Sequence, residues 1–136
     1  MAIKEYGEFN NIFAVDAFLK ERSRLYGKSK RDAGLYDEWL HRQLKLLDEY
    51  GIENSILIKK KVFEKIISNH TLYSIRKLGF PGNPRSLFTV IVDGDYEMYV
   101  LLTAFKEENI SDYNNAIERA VGRIAEVYSI IRNAEV

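Results

Sequence analysis

The stretch from Leu72 to Phe105 constrains the fold more than any other part of the chain. It holds three successive runs of strand character: Leu72-Tyr73-Ser74-Ile75-Arg76-Lys77, Ser86 to Val92, and Glu97 to Phe105. The last two are almost continuously apolar and rich in β-branched and aromatic residues, the pattern of strands covered on both faces. Asp93-Gly94-Asp95 between them reads as a hairpin turn, because glycine adopts the positive φ that a tight reversal needs. The loop from Gly79 to Pro84 carries both prolines of the chain and delivers Arg85 to the mouth of the middle strand. A guanidinium beside such apolar strands is costly to desolvate unless something uses or pairs it.

Around this sheet the helical pattern is plain. Val15, Phe18 and Leu19 mark the apolar face of a first helix, which ends near Tyr26-Gly27-Lys28-Ser29 with Gly27 as a cap. A second helix is expected from about Lys30 to Tyr50, with Leu35, Trp39, Leu40, Leu44 and Leu47 at steps of three and four. Ser29 is its N-cap, Asp32 suits its first turn, and Gly51 stops it. Two amphipathic helices on a short link suggest a helical hairpin laid over the sheet. Residues 2–9 are read as a short first strand, Asn10-Asn11 as a turn, and Val62 to Ile67 as a helical turn or irregular segment. A final helix begins at Ser111, with Ala116, Ile117, Ala120, Ile124, Val127 and Ile131 in its apolar stripe. The expected class is therefore α+β in a single domain, 1–136.

The absences matter for chemistry. With no cysteine there are no disulfides, thiolate metal sites or cysteine nucleophile. The histidines, His41 and His70, are far apart, no zinc-ligand spacing occurs, and no Gly-rich phosphate loop is present. Neither a metal nor another cofactor is implied. No apolar run approaches the roughly 20 residues of a membrane span, and the N-terminus lacks a signal-peptide layout. A cytoplasmic protein without membrane contact is the expectation.

The net charge is zero, but it is unevenly spread. Residues 1–58 carry 9 Lys/Arg against 10 Asp/Glu, residues 59–85 carry 7 against 1, and residues 86–136 carry 4 against 9. The basic island (Lys59, Lys60, Lys61, Lys65, Arg76, Lys77 and Arg85) suits either a solvated surface or an anion site. Asp93, Asp95 and Glu97 cluster at the hairpin, where a solvated turn is the expected reading. What survives elimination is a set of Arg, Lys, Tyr and His side chains on and around a sheet. Such groups can clamp a phosphate and stabilise its developing charge without a metal, with a ribose 2′-hydroxyl as nucleophile. The general acid and base would be Tyr, Lys or His; His70 stands at the entry to the first of the three runs.

The order of these pieces resembles the RelE/HigB/ParE toxin superfamily. The resemblance lies in Leu72 to Arg76, a loop, Arg85 opening an apolar strand, a hairpin, Val100 to Lys106, and a helix with Ala116 to Arg123. Upstream, Val15 to Leu19 and Leu47-Asp48-Glu49-Tyr50-Gly51 are similar to the phage-derived HigB-like branch. It implies two N-terminal helices and a C-terminal helix packed on a mainly antiparallel twisted sheet. It further implies an mRNA endoribonuclease acting at the ribosome, neutralised by a cognate antitoxin protein. Carried over by position, Arg76 and Arg85 are the phosphate clamps, Lys106 the basic residue after the last strand, and His70 a further catalytic candidate. Lys59, Lys60, Lys61 and Lys77 supply RNA contacts. Tyr113 lies where relatives carry a catalytic tyrosine, within the helical stripe. Lys106 is followed by Glu107-Glu108 where relatives often continue with lysine, which favours a second reading, a binding or regulatory protein that has lost catalysis. A third is purely structural, with Arg76 and Arg85 paired to carboxylates across the sheet. Exposure of both arginines on one concave surface separates the first reading from the third.

Overall fold

The computed structural model describes residues 1–67 and 71–134. The chain is α+β, and its described residues form three helices and a six-stranded, mostly antiparallel sheet. In chain order the elements are β1 (Ile3–Glu5), β2 (Ile12–Val15), α1 (Asp16–Leu25), α2 (Lys30–Ile58), β3 (Phe63–Ile67), β4 (Leu72–Arg76), β5 (Pro84–Asp93), β6 (Tyr96–Lys106) and α3 (Ile110–Ala134). The strand order is β1-β2-β6-β5-β4-β3, and only the β2–β6 pairing is parallel. The two apolar strands β5 and β6 are thus central, and eight consecutive residues of β5, Pro84 to Ile91, are buried. Gly94 turns the hairpin between them at φ 63°.

Strand alternation assigns the faces. Ser86 and Phe88 point toward α2: the Tyr36 hydroxyl lies 3.2 Å from Ser86 Oγ, and Phe88 meets the Tyr99 ring, whose hydroxyl accepts from Ile52 N–H. Arg85, Leu87, Thr89 and Ile91 point the other way, toward α3, where Tyr113 lies against Arg85 and Ile131 closes over Ile91. Burial on both faces explains why these strands read as unbroken apolar runs.

α1 and α2 form the expected helical hairpin, tied by an Arg22–Asp37 ion pair at 2.9 Å. Ser29 caps α2 by accepting Asp32 N–H at 3.2 Å. Gly51 breaks α2 at φ 81° and ψ 169°, and a second helical piece then continues to Ile58. α3 is capped by Asn109 and not by Ser111. Asn109 Oδ1 accepts Asp112 N–H, and the Asp112 carboxylate returns to the Asn109 and Glu108 N–H groups, a reciprocal cap.

Besides the helical piece after Gly51, two further segments differ from the sequence expectation. Residues Ile12 to Val15 form β2, because they lie in register beside Tyr99–Leu101 of β6. Val62 to Ile67 contains β3, whose Phe63 pairs with Ile75 and is buried. Both are short strands fixed by their pairing, β2 with a strand more than eighty residues on and β3 with the next strand, and local propensity does not see that pairing.

Where β2 ends, α1 takes its place beside β6 and the exposed strand edge is satisfied by side chains. Glu21 accepts from Thr103 Oγ1 at 2.9 Å and from Ala104 N–H at 3.4 Å. Arg123 grips the same carboxylate through both terminal nitrogens, at 2.8 and 3.1 Å, and donates to Leu102 O at 2.7 Å. A bidentate ion pair thus substitutes for a seventh strand.

Candidate nucleic-acid interface at one end of the sheet

Strand register gathers the basic island at one end of the sheet. Phe63 pairs with Ile75, Arg76 with Arg85, and Pro84 with Lys106. The start of β3, the end of β4, the start of β5 and the end of β6 therefore coincide. Lys59, Lys60 and Lys61 form the exposed turn entering β3, and Val62 O accepts from Arg76 N–H at 3.0 Å, which sets that turn beside Arg76. The opposite end carries the Asp93-Gly94-Asp95 hairpin, and a cavity of about 400 Å³ there is lined by Asp48, Asp95 and Glu97. Asp48 is used internally, accepting the Asn10 and Asn11 N–H groups. Among the described residues no cluster has the makings of a metal site.

The candidate residues do not form one constellation. Arg76 and Arg85 are directly opposed on neighbouring strands and share the α3 face. Lys106 is the partner of Pro84, one step along from the Phe105–Arg85 pair, and so lies on the α2 face. His70 lies outside the described residues. Lys77 also turns to the α2 side, with its ammonium 5.0 Å from the Trp39 ring centre and 5.4 Å from that of Phe80.

Arg85 is the most enclosed of these groups, only 2% exposed. Its Nη2 meets Glu107 Oε2 at 2.8 Å, its Nη1 meets Glu64 Oε1 at 3.4 Å, and its guanidinium lies 4.8 Å from the Tyr113 ring centre. Two carboxylates neutralise it and an aromatic face packs on it, although its buried Nε has no hydrogen-bond partner among the described residues. Arg76, in contrast, is half-buried and in no ion pair among the described residues. It lines a cavity of about 240 Å³ with Lys77, Asn83 and Glu107. Glu107 therefore stands between the two arginines' surroundings, bound to one and facing the space beside the other.

Lys106 occupies a different setting. Its ammonium lies 4.6 Å from the Tyr26 ring centre, over a cavity of about 650 Å³. The Tyr26 hydroxyl donates to Pro81 O, and its pKa is pushed up to about 12, chiefly by burial and further by the Asp32 and Glu108 carboxylates. The residue is thus a hydrogen-bond donor and not a base near neutral pH. Neither this cavity nor the role of Tyr26 was legible beforehand: it joins residues more than fifty positions apart.

The chain matches no protein family, no curated protein and no solved structure among those with which it was compared. No helix among the described residues is long and apolar enough to cross a membrane.

Proposed function

We propose that this chain is a binding protein for RNA, or a similarly spaced phosphate backbone, built on a RelE/HigB-like arrangement and lacking the cleavage step. The observation that carries this reading is the contrast within the basic end. Arg85 is sealed between Glu64 and Glu107 and cannot reach a phosphate, while Lys59, Lys60, Lys61 and Arg76 remain available beside it. Available cations along a rim give backbone contacts and salt-dependent affinity. Cleavage needs in addition a clamp and a proton-transfer group converging on one phosphate. Lys106 lies on the other side of the sheet from Arg76.

The test is fluorescence anisotropy with a labelled single-stranded RNA, followed by a denaturing gel of the same sample. Binding should weaken steeply between low and physiological salt, and Lys59→Gln/Lys60→Gln/Lys61→Gln should weaken it further and flatten the salt slope by about 2. The RNA should remain intact. Absence of binding at low salt overturns the proposal.

A toxin-like, ribosome-dependent endoribonuclease with a cognate antitoxin is the second reading. The cross-strand adjacency of Arg76 and Arg85 favours it, since release of Glu107 would leave two guanidinium groups side by side. Induced expression in a bacterial host separates the two. Growth arrest with new mRNA ends, abolished by Arg76→Ala in a folded protein, would support the nuclease; normal growth at a confirmed protein level would leave the binding reading.

A further inference from the structure

The cavity beneath Lys106 has the features of a ligand site on the other face of the sheet, independent of the proposed RNA rim. Its walls come from the α1–α2 turn, the Pro81-Gly82 turn and the end of β6. Three cations line it, Arg24, Lys28 and Lys106, and none is in an ion pair among the described residues. Where this fold encloses a guanidinium for structure, at Arg85, two carboxylates bind it directly; here Asp32 and Glu108 line the same cavity, but neither is within ion-pair distance of a cation among the described residues.

Lys106 is also held in place. Gly82 has φ +81°, and a Cβ there would lie 2.7 Å from Lys106 Cδ and 2.9 Å from Cγ. Only a glycine lets the lysine stem cross the turn, and the Tyr26 ring fixes the ammonium from below. The ordering cost of a long flexible side chain is thereby met before any ligand arrives.

The remaining lining sets the ligand's chemistry. Asp32 and Glu108 contribute carboxylates that accept hydrogen bonds, and Leu25 and Pro81 contribute apolar surface. Arg24, Leu25 and Lys106 continue into a neighbouring cavity of about 380 Å³ that reaches Arg119. A ligand satisfying all of these carries a compact anion, hydroxyl or amine donors, and an apolar body. The volume falls in the range of small-molecule sites. We infer that this cavity binds a nucleoside 5′-monophosphate, with the phosphate on Lys106, Arg24 and Lys28 and with sugar or base donors on Asp32 and Glu108. A terminal phosphate carries nearly two charges near neutral pH, so it suits three open cations better than the single charge of a backbone diester. The same group occurs on a free nucleotide and on the 5′ end of a processed RNA.

Isothermal titration calorimetry with AMP, adenosine and inorganic phosphate tests this. AMP should bind, and adenosine should bind at least about tenfold more weakly, since each charge-assisted hydrogen bond is worth about that factor. Lys106→Gln should weaken AMP about tenfold. The double change Arg24→Gln/Lys28→Gln, at exposed positions that the fold does not need, should do the same, whereas Lys45→Gln on the outer surface of α2 should not. Competition with short RNAs identifies the source. Displacement of AMP by a 5′-phosphorylated RNA but not by its 5′-hydroxyl form assigns an RNA end, and displacement by neither assigns a free nucleotide. Equal binding of AMP and adenosine, equal competition by both RNAs, no heat with AMP, or AMP affinity unchanged in both folded variants overturns the inference. Because Lys59, Lys60 and Lys61 do not line this cavity, such a failure leaves the RNA anisotropy result standing.

Discussion

Arg85 and Lys106 sit one residue step apart on paired strands, at the same end of the same sheet, yet they have opposite electrostatic lives. On the α3 face Arg85 is buried, bound to two carboxylates and laid on Tyr113. On the α2 face Lys106 lies over Tyr26 at the edge of a large open cavity, in no ion pair among the described residues. The difference teaches that cations gathered at one end of a sheet are not one functional unit. Alternation along a strand sends neighbouring cations to different faces, and the partners waiting there decide whether a charge is structural or free to meet a ligand.

The comparison breaks most severely if Arg85 is dispensable. Arg85→Met removes one member of a buried ionic cluster and should lower unfolding stability by about 3 kcal/mol in denaturant titration. Adding Glu64→Gln and Glu107→Gln should restore part of it. A loss under about 1 kcal/mol would mean the guanidinium is not structural and would return it to the list of ligand-binding groups. Next in size is Gly82→Ala, which forces a side chain into a positive-φ turn against the Lys106 stem. A loss of about 1–2 kcal/mol is expected, together with AMP affinity if the cavity is used as proposed. Glu107→Gln weakens the Arg85 pairing while keeping its shape and should cost about 1 kcal/mol. An increase in RNA affinity in that variant would show that Glu107 screens the arginines.

A pH titration sharpens the other side of the comparison. The folded pKa of Tyr26 is raised to about 12, with burial as the leading cause. Its contribution to stability is therefore complete below the unfolded value near 10, and is lost as pH rises through the folded value. Following tyrosinate absorbance, wild type minus Tyr26→Phe should show a single group ionising well above pH 10. Ionisation at 10 or below would mean the ring is not shielded beneath Lys106. The smallest effect belongs to the exposed turn, where Lys59→Gln/Lys60→Gln/Lys61→Gln should change stability by less than about 0.5 kcal/mol.

Sequence alone determined the centre of the molecule. The apolar, β-branched runs around Asp93-Gly94-Asp95 required a central hairpin covered on both faces, and the three-and-four spacing of Leu40, Leu44 and Leu47 required a helix to cover one of them. The Ser29 cap and the Gly51 break were also legible, because both act through hydrogen bonds or dihedrals within a few residues. The peripheral strands β2 and β3 were not, since they are four and five residues long and are held by pairing, β2 with a strand far along the chain and β3 with the strand that follows it. Legible too was the cost of burying Arg85, which demanded a partner, but the sequence did not say which. Only the tertiary structure brought in Glu64 from 21 residues before and Glu107 from just past the end of β6, and separated Arg76 from Lys106 by a sheet's thickness. Composition and spacing set which charges exist and which segments must be buried. Pairing register and facing set which charges meet, because electrostatic partners are chosen across space, where sequence distance carries no information.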